Sequence, residues 1–119
     1  MAEPATIFET QVLVVEDDDQ LMYLACKQLR AAGYEPISAS NGVEALRCML
    51  EFPDCRQMVT DFVLPAFGGE EWIGFLERFC SDWSIVVMSA EDVDPGLFIS
   101  VPKPARFENI ISHLERFER

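Results

Sequence analysis

Basic residues are scarce. Nine Lys plus Arg stand against 21 Asp plus Glu in 119 residues, a formal net charge of −12. Nucleic acids and anionic bilayers are held by clustered Lys and Arg, so neither is an expected partner. Long apolar runs are missing as well; none approaches the ~18 residues needed to cross a bilayer. The opening segment MAEPATIFET lacks the basic and apolar regions of a secretion signal. It reads as a disordered tail over residues 1–10, ahead of one domain over 11–119. The four cysteines, Cys26, Cys48, Cys55 and Cys80, form no CxxC pair and no zinc spacing. Reduced thiols in a cytoplasmic protein are the expectation, because free Cys packs as a small hydrophobe. Neither a GxGxxG nor a GxxxxGKS/T loop exists, which argues against dinucleotides and ATP.

What is present is a good core and an alternating pattern. Half the residues are hydrophobic, enough for a self-sufficient domain of this length. Val12-Leu13-Val14-Val15 is an uninterrupted apolar run, the mark of a strand buried on both faces. Leu21, Leu24, Ala25, Leu29 and Ala32 then recur at helical spacing, with Asp18 or Asp19 as N-cap and Gly33 as the stop. Ile37–Ala39 reads as a second strand, and the helix after Asn41-Gly42 carries Ala45, Leu46, Met49 and Leu50. Gln57–Thr60 is a third strand, followed by a helix bearing Trp72, Ile73, Leu76 and Phe79. Ser84–Met88 and Leu97–Val101 read as strands four and five, and a last helix starts near Phe107. Alternation with short connections implies an α/β fold with a parallel sheet and helices on both faces.

In such sheets the ligand sits beyond the carboxyl ends of the strands. Strand one delivers Glu16 and Asp17 there, strand three Asp61, strand four Ser89 and strand five Lys103. Three crowded carboxylates repel one another, so the cluster calls for a cation or a retained proton. Hard oxygen donors with room for water suit Mg2+. An ammonium and a hydroxyl beside a carboxylate nucleophile make up the apparatus of phosphoryl transfer, with Asp61 the acceptor.

These segments together resemble the receiver domain of two-component response regulators. The matching pieces are Val12–Asp18, Gly33-Tyr34-Glu35 through Leu46, Thr60–Pro65 with Gly69, Met88-Ser89-Ala90 and Lys103-Pro104, in family order. The resemblance implies a flavodoxin-like, doubly wound sheet of five strands in the order 2-1-3-4-5. It implies phosphorylation of Asp61 by a histidine kinase or phosphotransfer protein. It makes Glu16 and Asp17 the acidic metal pair, gives the Val63 carbonyl to Mg2+, makes Ser89 the switch hydroxyl, and puts Lys103 on the phosphoryl group ahead of a cis bond to Pro104.

Two features depart from that family. Ser89 and Lys103 are only 14 positions apart, and Ala90–Gly96 is too short for a crossover helix and its loops. The fourth helix is therefore expected to be shortened or absent. Val86, Met88, Leu97 or Ile99 should then lie near solvent, as a surface for a homodimer or a downstream protein. The family's aromatic switch position, three residues before the lysine, is Ser100, with Phe98 two residues earlier. A phosphorylation-independent interaction module on the same fold is the rival function. A Mg2+ phosphohydrolase is a more distant one, since its nucleophile belongs on strand one. His113 reads as a surface residue. The expected output is by protein contact, or by passing the phosphoryl group onward.

Overall fold

The run Val12–Val15 becomes the inside of β1 (Thr10–Val15), flanked on both sides by other strands. The computed structural model describes residues 10–89, 96, 98–103 and 107–117. Along them follow α1 (Asp19–Ala31), β2 (Tyr34–Ala39), α2 (Gly42–Glu51), β3 (Gln57–Asp61), α3 (Gly69–Phe79), β4 (Ser84–Ser89), β5 (Ile99–Pro102) and α4 (Phe107–Phe117). The five strands form one parallel sheet in the order β2-β1-β3-β4-β5. This is the expected doubly wound order.

Successive side chains of each strand serve opposite faces. Val12, Val14, Val59, Val86 and Met88 pack under α1 and α4, against Ala25, Leu29, Ile110 and Leu114. Leu13, Val15, Met58, Ile85 and Val87 pack under α2 and α3, against Ala45, Trp72, Ile73 and Leu76. The helix ends follow ordinary capping chemistry. Asp18 accepts the Leu21 amide at 2.9 Å, and Asn41 accepts the Glu44 amide at 2.8 Å. Glu44 returns the favour, its Oε1 accepting the Ser40 amide at 2.8 Å. Gly33 turns the chain out of α1 at φ +95°, a conformation that costs a side chain dearly.

Three expectations need correction. Thr10, read as part of the tail, already pairs with Tyr34 in the sheet; residues 1–9 lie outside the described residues. β2 starts at Tyr34 and β5 at Ile99, because sheet partners rather than local propensity set their limits. Val86 and Met88 do not approach solvent: they are 0% and 6% exposed. The cause is parity, since both point to the face that α4 covers. Ile99 is half-buried, and Leu97 lies outside the described residues. Among the described residues no helix stands between β4 and β5, although Ala90–Pro95 lie outside them. Nor, among the described residues, is any helix long and apolar enough to cross a membrane.

Candidate functional site

The carboxyl ends of the strands form one polar pocket. The Glu16 amide still bonds Ala39 O at 3.0 Å, so the chain leaves the sheet only after Glu16. Its side chain therefore stays inside, 4% exposed, and its Oε2 accepts the Asp18 amide at 3.0 Å. Asp17, one residue on, faces solvent. Asp61 is the last residue of β3 and is 2% exposed. Ser89, last of β4, is buried, and its carbonyl accepts the Lys103 amide at 2.8 Å. That bond extends the β4–β5 ladder by one step and aims Lys103 at the pocket.

The Lys103 ammonium lies 2.6 Å from Asp61 Oδ1 and 3.5 Å from Glu16 Oε1. Glu16, Asp17 and Asp61 each offer an oxygen within 4.8 Å of the other two. Three carboxylates thus meet one ammonium. Burial pushes the Asp61 carboxyl up to about 7; Lys103 opposes the shift and the neighbouring Glu16 adds to it. For Lys103, burial disfavours the charged form, but the adjoining Asp61 and Glu16 carboxylates outweigh it and hold the amine above its usual range.

The sequence-derived set therefore converges for Glu16, Asp17, Asp61 and Lys103, with Ser89 tied to Lys103 through the main chain. Val63 stands two residues past Asp61, in the loop into α3. Its side chain is in solvent, so it has only main chain to offer the pocket. Pro104 lies outside the described residues. Ser100 is exposed, whereas Phe98 packs against the core under α2 and α3. His113 is half-buried on α4 and takes no part in the acidic cluster. Sequence reasoning missed the tether behind Asp61: Thr60 is bonded to the Trp72 indole at 2.9 Å. A lone Thr inside an apolar strand was the signal available.

No family model matches the chain. Individual proteins do. The two-component response regulator-like PRR73 of Oryza sativa is 32% identical over 101 residues, 80% of this chain. The transcriptional regulatory protein KdpE of Mycobacterium tuberculosis is 30% identical over 112 residues, 88% of this chain. The chain belongs to the response-regulator receiver family. Solved receivers share its fold. The chemotaxis protein CheY4 of Vibrio cholerae superposes with a TM-score of 0.80 at 22% identity, covering 92% of this chain and 99% of that one. The Francisella response regulator 1452 receiver domain gives 0.80 at 20% identity, covering 92% and 96%. The receiver spans only 13% of the PRR73 relative and 49% of KdpE.

Proposed function

We propose that this receiver accepts a phosphoryl group on Asp61 from a phosphohistidine of a kinase or phosphotransfer protein, and signals through protein contacts. The observation that carries the reading is the Lys103 ammonium 2.6 Å from Asp61 Oδ1, in a pocket that also gathers Glu16 and Asp17. A carboxylate oxygen of Asp61 forms the new bond to phosphorus as the phosphorus–nitrogen bond of the donor breaks. The imidazole leaves with the electron pair and takes up a proton. Lys103 pairs with the charge gathering on the phosphoryl oxygens, and the Ser89 hydroxyl donates to another of them.

The acidic cluster fits Mg2+. Its donors are hard carboxylate oxygens, their charge exceeds what Lys103 neutralises, and Asp17 opens to water. Glu16, Asp17, Asp61 and the Val63 carbonyl would hold the ion. When bound, it supplies positive charge to the phosphoryl oxygens. Asp61 is modified once per event, so the reading is a signalling domain rather than a turnover enzyme. The four cysteines are free, which accords with a reducing cytoplasm.

One observation favours the rival module that works without phosphorylation: the β5 position expected to hold a ring is the exposed Ser100. Intact mass after incubation with acetyl phosphate and Mg2+ separates the two. The native chain is expected to gain one phosphoryl group, and Asp61→Ala none. An unmodified native chain would leave only the module.

A further inference from the structure

The peptide that carries Asp61 is fastened from two sides. On the β4 side the Phe62 amide donates to Met88 O at 2.8 Å. On the α3 side the Gly69 amide donates to Phe62 O at 2.6 Å. A further hold is made by side chains. The Thr60 hydroxyl donates to the Asp61 carbonyl at 2.9 Å and accepts the Trp72 indole N–H at 2.9 Å.

Donor counting makes this link directional. A hydroxyl has a single proton, and here it is spent on Asp61 O. The indole has a single donor, and it is spent on Thr60. Thr60 and Trp72 are both 0% exposed, so no water replaces either bond. Trp72 itself has little freedom. Phe67 meets its ring edge-on with centroids 5.3 Å apart, and Phe75 stacks on it at 6.0 Å and 4°. The chain Asp61–Thr60–Trp72 therefore ties the end of β3 to a rigid aromatic stack on α3.

We infer that Thr60 is a positioning residue for the phosphoacceptor, with Trp72 as its anchor. This rests on the phosphoacceptor reading of Asp61. In-line attack needs the carboxylate aimed at phosphorus from a fixed backbone, and the Thr60 hydroxyl fixes the carbonyl of that same residue. Packing alone demands no hydroxyl at this place. Valine has the same shape and fills the same space, whereas serine keeps the hydroxyl and loses a methyl.

The test compares Thr60→Val, Thr60→Ser and Trp72→Phe with the native chain, each well below its thermal midpoint. The first readout is the rate at which acetyl phosphate with Mg2+ adds one phosphoryl mass. The second is Mg2+ affinity from a thermal-shift titration. Thr60→Val should slow phosphorylation by about ten-fold, since ångström misplacement of a reacting group costs up to roughly a hundred-fold. Its Mg2+ affinity should stay within about two-fold, because all the carboxylates remain. Thr60→Ser should restore the rate, and Trp72→Phe should slow it less than Thr60→Val does. If Thr60→Val does not fold, the Trp72→Phe rate decides, and a native rate there overturns the inference. A folded Thr60→Val that is merely less stable but phosphorylated at the native rate also overturns it, leaving the phosphoacceptor reading intact. A native chain that gains no phosphoryl mass overturns both.

Discussion

Replacing Asp61 with Asn removes a carboxylate that folding forces into a nearly dry pocket beside Glu16. The Asp61 carboxyl is held at about 7 against an ordinary 3.8, burial being the main cause. At about 1.4 kcal/mol per pH unit, folding therefore costs the ionised side chain roughly 4 kcal/mol more than its neutral form. Asparagine has the neutral shape and cannot ionise. Polar neighbours reorient around the charge and offset part of this cost, so a gain of about 2 kcal/mol is expected at pH 8 without divalent cations. The sign follows from proton binding. Between pH 3.8 and about 7 the folded native chain holds a proton that the unfolded chain has released. Its stability is therefore full below the lower value and is lost as pH rises through the upper one. The variant lacks this loss, so its advantage should be small near pH 4 and largest above pH 7. Urea unfolding in EDTA at several pH values measures it directly, with a midpoint shift at unchanged slope. A variant no more stable than the native chain at pH 8, or one whose advantage grows toward pH 4, refutes the reasoning.

The remaining predictions concern the cation and the scaffold. Asp17→Asn should weaken Mg2+ binding by about ten-fold while leaving metal-free stability within ~0.5 kcal/mol, since Asp17 is exposed; a Mg2+ thermal-shift titration reads both. Gly42→Ala should destabilise by about 2–3 kcal/mol, because a Cβ there overlaps the Phe67 carbonyl, a backbone atom that cannot swing aside. Asn41→Ala should cost about 1 kcal/mol in urea unfolding, through loss of the cap on the Glu44 amide.

Much of the site was legible because parallel sheets put polar residues at strand ends, where apolar runs stop. Val15 is followed by Glu16 and Asp17, Thr60 by Asp61, Met88 by Ser89 and Pro102 by Lys103. The alternation placed those stops on one edge without any distance being known. The faces were not legible. A strand buried on both sides shows no alternation of polarity, so nothing in Ile85-Val86-Val87-Met88 tells which members meet α3 and which meet α4. Nor does any local pattern in Tyr34-Glu35-Pro36 favour a strand; pairing with Thr10, Gln11 and Val12 overrides it. The Thr60–Trp72 bond spans 12 positions across two elements, beyond the reach of periodicity.

The short β4–β5 connection was expected to bare an apolar face, yet β4 itself stays covered, on the side away from α4 by α3. The residues on β4 that face away from α4 are Ile85 and Val87, and they are 1% and 0% exposed. They share a core with Trp72, Ile73 and Leu76 of α3, and Phe98 packs against it just before β5. Trp72 leads the fully buried side chains in size, so one helix fills space over the sheet that smaller residues would leave open. Gly96, in the β4–β5 connection, lies against α3 at φ +66°, where a Cβ would be strained and would meet the Glu77 carboxylate and Ile73. Among the described residues, the face of β4 away from α4 is thus covered by the large side chain of Trp72 and its α3 neighbours rather than exposed. An interaction surface for this receiver cannot draw on Val86 and Met88 as dimer contacts, because α4 would have to leave first.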